Sequence, residues 1–291
     1  MQEIFIDSLM DTIKDTATLL PFLFVTYLAM EWLERRTEDQ SVALLSSVGR
    51  FGHLLGAGIG LIPQCGFSAA ASSLYSGGVI SVGVLISVFL STSDEMVPIF
   101  LSSSVAASTI GRILLAKFII ALVSGILIDA LDRTIGRLVH ADKHIHDLCE
   151  RDRCGCEDEE GGILRSALIH TLKITAFIFI ISLVLSLLVG FMGRDTMASA
   201  MSGSPVMGTV LCGLIGLIPN CAASVAITQM YLEGLLSAGQ LMAGLLVGAG
   251  VGLLVLVRTN NHHKENAAII AALLVLGVTW GLVIDAVGIT W

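Results

Sequence analysis

The residues able to do chemistry fall into three groups, the first of them a matched pair of tripeptides. Pro63-Gln64-Cys65 follows the run GAGIGLI and Pro219-Asn220-Cys221 follows GLIGLI. A proline removes a helical hydrogen bond and strains the preceding turn, so each thiol and amide should sit directly after a helix break. If the two breaks meet, two thiols and two side-chain amides converge beside exposed helix ends. Such a soft donor set suits thiophilic metals or trivalent metalloids. Ser68 and Ser224, three residues beyond each cysteine, either line the same cavity or cap the restarted helix. Cysteine also serves as a small apolar residue in tight helix crossings, and the chemical reading rests on both thiols recurring at one register.

The second group is Ser91-Thr92-Ser93-Asp94-Glu95, followed by Met96-Val97-Pro98 and embedded between apolar runs. An ionisable side chain at membrane depth costs roughly 2.5 to 3.5 kcal/mol on insertion scales, which makes Asp94 and Glu95 functional candidates rather than filler. Cation binding or reversible protonation for proton or sodium coupling are the expected tasks. The metal donor set is then Cys65, Cys221, Asp94 and Glu95. The plainer alternative is a short surface loop. Lys117 is a candidate counter-ion for these acids, although snorkelling toward the interface is the commoner role for such a lysine. Asp129 and Asp285 lie near the ends of the last apolar run of each half, where caps and anchors are commoner than ligands.

The third group is the charged stretch HADKHIHDLCERDRCGCEDEE, with His140, His144, His146, Cys149, Cys154 and Cys156. His140 and His144, four residues apart, would share a face if the last apolar run of the first half continues as a helix, and Cys154 and Cys156 flank a glycine that permits a tight chelate. Mixed imidazole and thiolate donors favour borderline to soft ions. The spacing is not that of a zinc finger, and a solvated acidic loop is the competing reading. His262 and His263 add weakly to this group.

The composition says which elements must carry these residues. The chain has 291 residues, 55% of them apolar and 14% charged, with a mean hydropathy of +0.87. Soluble domains carry about 25% charged residues, so this is a polytopic membrane protein. Sixteen Lys+Arg against 24 Asp+Glu leave −8. Without a basic, aromatic-interleaved face, nucleic acid is excluded as a partner. The partners expected instead are the lipid bilayer, the transported ion and a second copy in a homodimer. The acidic start MQEIFIDSLMDTIKD is unlike a secretory signal, so the first span is expected to be retained. Three cysteines in apolar stretches and three in one loop fit thiols or ligands better than disulfide staples.

The apolar runs form two halves that repeat one another. At an offset of 156, Ile59–Gly83 aligns with Ile215–Gly239 with twelve of 25 positions identical, and GILIDA (Gly125–Ala130) aligns with GLVIDA (Gly281–Ala286) without a gap. Asp94 and Glu95 meet Gly250 and Val251, so the acids belong to one half only. The loops give the orientation. Arg35, Arg36 and Arg50 surround the loop after the first span, whereas the matched segment holds only Arg194; Ser102–Ser108 has no basic residue, whereas its match has Arg258 and Lys264. Opposite members of each pair are basic, as expected for halves that face opposite ways. With the central loop and the basic loops in the cytoplasm, both termini lie outside and each half crosses an odd number of times. About ten transmembrane helices result, in two inverted-topology repeats broken at Pro63 and Pro219. The first repeat runs over 10–136, the cytoplasmic loop over 137–165 and the second repeat over 166–291. The segment 64–77 is short enough to be one arm of a re-entrant hairpin.

Inverted repeats joined by a cytoplasmic loop are the architecture of secondary transporters, whose substrate site lies near the midplane between broken helices. Substrate is therefore expected against Gln64, Cys65, Ser68, Asn220, Cys221 and Ser224. No Walker sequence is present, so ion-gradient coupling is expected rather than ATP hydrolysis, with no resident cofactor. The alternatives are a transporter of a small organic or oxyanionic solute and an intramembrane enzyme. The enzyme reading is disfavoured because the sequence has no His-Glu-x-x-His or Gly-x-Ser-x-Gly motif and no paired aspartates.

GLIPQC, STSDEMVP, the His/Cys-bearing loop, GILRSALIHTLKITAFIFIISLVLSLLVGF and GLIPNCAAS together resemble the ten-span heavy-metal exporter family. Its members are labelled arsenic-efflux proteins or manganese transporters. The resemblance covers nearly the whole chain and implies ten spans, a bacterial-type inner-membrane location and export of a divalent metal or metalloid ion. The loop here is poorer in His and Cys than the family pattern.

Overall fold

A computed structural model describes residues 51–134 apart from 64, 94 and 95, residues 163–192 and 205–291, together with scattered helical positions between 6 and 28. All regular structure among these residues is helical. The elements are α1 (51–60), α2 (Cys65–Ser76), α3 (Val82–Ser91), α4 (Met96–Ser102), α5 (Ala107–Thr134), α6 (Ile163–Met192), α7 (Pro205–Gly216), α8 (Cys221–Leu232), α9 (Ala238–Val247), α10 (Val251–Thr259) and α11 (His263–Val287). Among the described residues, four stretches are long and apolar enough to cross a membrane: Val82–Ser102, Ala107–Thr134, Ala238–Thr259 and His263–Val287.

Element boundaries repeat at the same offset of 156 that aligns the sequence. α2 maps onto α8 and α3 onto α9 residue for residue, and α5 and α11 begin at matched positions. The turns between them match too. Two residues past the ends of α2 and α8 stands a glycine in the left-handed region, Gly78 (φ 75°) and Gly234 (φ 76°). Val79 N donates to Leu74 O at 2.8 Å, and Leu235 N donates to Met230 O at 3.0 Å. Only glycine adopts that φ at little cost, so the same residue type follows both helices.

α3 and α9 form the centre. All ten residues of each are buried, which is what an apolar helix without a polar face requires. α5 packs on α3, α11 and α7 pack on α9, and α3 and α9 touch each other. The outer helices leave apolar side chains uncovered, among them Leu115, Ile119 and Val123 on α5 and Val275 and Val283 on α11. Those faces suit hydrocarbon.

In a bilayer helices gain little by hiding apolar surface from one another, so close approach between small residues holds them together. A Cβ added at Gly83 would lie 2.3 Å from Gly125 O, and one added at Gly239 would lie 2.2 Å from Gly281 O. Backbone therefore touches backbone where α3 crosses α5, and again where α9 crosses α11.

Candidate functional site

The helix over 51–60 ends before the first proline, with Leu61 N donating to Gly58 O at 3.3 Å and Ile62 N to Ile59 O at 3.1 Å. α7 ends in the same way, with Ile218 N donating to Ile215 O at 3.0 Å. Helix then resumes at Cys65 in one half and at Cys221 in the other. Gln64 lies outside the described residues. Ser68 is fully buried one turn into α2, where a Cβ on Gly252 would lie 2.8 Å from its Cβ. Asn220 is buried, its N–H donating to Ile218 O at 2.7 Å, and Cys221 and Ser224 are half-buried. Ser224 O accepts the Thr228 hydroxyl at 2.7 Å.

Asp94 and Glu95 lie outside the described residues, yet both flanks are buried: Ser91, Thr92 and Ser93 before them and Met96 after them. Three of these flanking groups turn their hydroxyls inward to backbone. Ser91 and Thr92 donate to carbonyls of α3, and Ser93 donates to Ser91 O. The matched positions Gly250 and Val251 are also buried and open α10. Lys117 does not snorkel. It is 0% exposed, and its ammonium donates to Thr92 O and, at 3.0 Å, to Leu245 O. The interface is out of reach because α5 carries this residue on the face packed against α3. Arg112, on the same helix, is exposed.

The helices that start in the two break motifs each pack on the other half. α2 lies against α10, and α8 lies against α4, the helix that follows Asp94 and Glu95. Hydrogen bonds sew the α2 seam to α10 and α11. Ser72 Oγ donates to Gly252 O at 2.7 Å, Ser76 Oγ and Thr259 Oγ1 lie 2.7 Å apart, and Tyr75 OH donates to Glu265 Oε1 at 2.5 Å. Glu265 Oε2 also accepts from Asn260 Nδ2 at 3.0 Å. On the other seam Phe100 and Tyr231, the residue matched to Tyr75, meet in a tilted ring contact with centroids 6.2 Å apart. Trp280 Nε1 donates at 3.1 Å to Ser124 Oγ, which is its own match at the offset of 156. Sequence reasoning passed over Tyr75, Glu265 and Asn260, because each is an ordinary polar residue until its partner arrives from far along the chain.

The span-end acids are caps. Asp129 accepts from Gly83 N at 2.7 Å and Ser81 Oγ at 2.6 Å, and Asp285 accepts from Gly239 N at 2.8 Å and Ser237 Oγ at 2.7 Å. Each carboxylate satisfies a donor at the positive end of α3 or α9. Asp129 has an additional neighbour in His53, whose Nε2 stands 2.9 Å from Oδ2. That histidine was not singled out by its sequence context.

The candidate loop donors His140, His144, His146, Cys149, Cys154 and Cys156 lie outside the described residues, so the loop reading has no structural counterpart to report. His262 and His263 are exposed at the start of α11. Among the described residues, no three His, Cys, Asp or Glu side chains group as a metal site.

No curated protein and no solved structure matches the chain. A family model does match, over residues 1–195, a span that takes in GLIPQC, STSDEMVP, the His/Cys loop and α6 and stops short of GLIPNC. A membrane protein that is helical throughout its described regular structure, with buried flanks around two acids and that matched span, belongs to the family described as "Putative, 10TM heavy-metal exporter".

Proposed function

We propose that the chain is a secondary-active exporter of a metal or metalloid ion that works by alternating access between two inverted-topology repeats. Substrate binds at the two Pro-amide-Cys breaks, against Gln64, Cys65, Ser68, Asn220, Cys221 and Ser224. Asp94 and Glu95 add cation affinity or carry the coupling ion, a proton or sodium. The reciprocal packing carries this reading. The helix opened by each cysteine lies against the other half, α2 on α10 and α8 on α4, so motion of one half against the other must act on both breaks. Five plus five crossings, an inner-membrane location, a cytoplasmic central loop and outside termini complete the proposal. The loop cysteines and histidines capture or sense metal on the cytoplasmic side.

Cys65→Ser or Asp94→Asn should abolish cellular resistance to the exported ion while leaving the amount of protein in the membrane unchanged. Full resistance in both variants would remove the proposed site.

One observation favours a second reading. Both cysteines stand at the first residue of a twelve-residue helix, and helix N-termini attract anions. An oxyanionic solute would use those ends and leave the thiols as packing. Transport that survives Cys65→Ala with Cys221→Ala would select this alternative.

A further inference from the structure

Lys117 lies where the carbonyl ends of two central helices meet. Thr92 is the residue at which the chain leaves α3. Leu245 sits in the last turn of α9, where the helical donor to its carbonyl is lost, because Ala249 N turns back to Val247 O at 2.8 Å. Helix C-termini carry partial negative charge, and their orphan carbonyls call for a donor or a cation. The two helices are charged in the complementary sense at the other end, where Asp129 and Asp285 take the N-terminal donors. Two carboxylates thus hold the two positive ends, and a single ammonium is shared by the two negative ones. Lys117 has no counterpart in the second half. Its match is Leu273, fully buried, so the scaffold tolerates an apolar side chain at this register of α11. A fully buried lysine kept where the repeat accepts leucine marks a cation requirement at that spot.

We propose that the carbonyl ends of α3 and α9 form a monovalent-cation site, filled by the Lys117 ammonium in this conformation and open to Na+ or K+ when the ammonium is absent. Neutral carbonyl oxygens coordinate alkali cations by replacing their hydration shell, and they balance one charge more readily than two. The site differs from the soft donor set assigned to the exported ion and does not rest on the export reading, because it can be tested without transport.

The test compares purified full-length wild type, Lys117→Arg, Lys117→Leu and Lys117→Gln in detergent. Thermal unfolding is followed in NaCl, KCl and N-methyl-D-glucamine chloride at equal ionic strength, with equilibrium binding of radioactive Na+ and Rb+ alongside. Lys117→Arg should respond to the three salts as wild type does, whatever shift Asp94 and Glu95 give to both. Lys117→Leu and Lys117→Gln should be lower in the organic salt, recover by several degrees with saturating Na+ or K+, and bind about one alkali ion per chain. A lysine that merely packs would give variants lowered equally in every salt, and that result overturns the site. So does failure to recover either neutral variant in any of the salts. Removing Lys117 also strips Asp94 and Glu95 of a candidate counter-ion, so the neutral variants are repeated with Asp94→Asn and Glu95→Gln; recovery by Na+ or K+ that vanishes there traces to the carboxylates and overturns the site.

Discussion

Asp129 and Asp285 illustrate why an acid at a span end needs no ligand to account for it. Each accepts a backbone N–H and a serine hydroxyl at the start of a buried helix. Replacing either by asparagine should lower stability by about 1 kcal/mol, the worth of a helix N-cap. Asp129→Asn should cost more than Asp285→Asn, since His53 also leans on Asp129 and Asp129 is the more buried. Denaturation of the detergent-solubilised variants would measure both. Lys117 runs the other way. Its sequence context fits a snorkelling residue as well as a counter-ion, and only the packing of α5 on α3 decides where its ammonium goes. Features set by neighbours within a few residues were legible in the sequence, as with the helices that begin at Cys65 and Cys221 just after the matched prolines. Roles set by partners 76 to 190 residues away, such as His53 with Asp129 and Tyr75 with Glu265, were not, because no periodicity records them.

At the scale of elements, the self-alignment gives more than the apolar runs do. Hydropathy merges neighbouring helices, so the run 79–104 hides the break between α3 and α4. The register of 156 carries the bounds of α2 onto α8 and of α3 onto α9 residue for residue. The same register marks which glycines are structural. Gly83→Val and Gly239→Val should each destabilise by about 1 to 3 kcal/mol, the usual range for overpacking. The reason is that an added Cβ already falls 2.3 Å and 2.2 Å from a facing carbonyl oxygen. Gly58→Ala is the control, because nothing lies within 4 Å of its added methyl. It should be neutral or slightly stabilising, as expected for alanine in a helix. Thermal melts of the three variants separate the cases, and an unchanged melt for the valine variants would disprove the close crossings.

Taken whole, the molecule is proposed to work by motion at two seams, α2 against α10 and α8 against α4, each joining one half to the other. Ser76 and Thr259 face each other across the first seam with hydroxyl oxygens 2.7 Å apart. Ser76→Cys with Thr259→Cys should therefore cross-link on oxidation, stop transport, and regain it on reduction; full transport by the cross-linked protein would show that this seam never opens. The membrane class was legible from composition, and the matched helix bounds from self-alignment. The cargo was not, because thiols favour soft ions and carboxylates hard ones, and this sequence carries both. The central claim, gradient-driven export of a metal or metalloid through the two breaks, is tested most directly in everted membrane vesicles. Uptake is measured by elemental detection across a panel of manganese, cobalt, nickel, zinc and arsenite, with and without a proton gradient, for wild type and for Cys65→Ser with Cys221→Ser. The account predicts that at least one ion accumulates in wild-type vesicles, that accumulation falls when the gradient is collapsed, and that the double variant loses it. Absence of accumulation of any of these ions in wild type, or undiminished accumulation in the double variant, would contradict it.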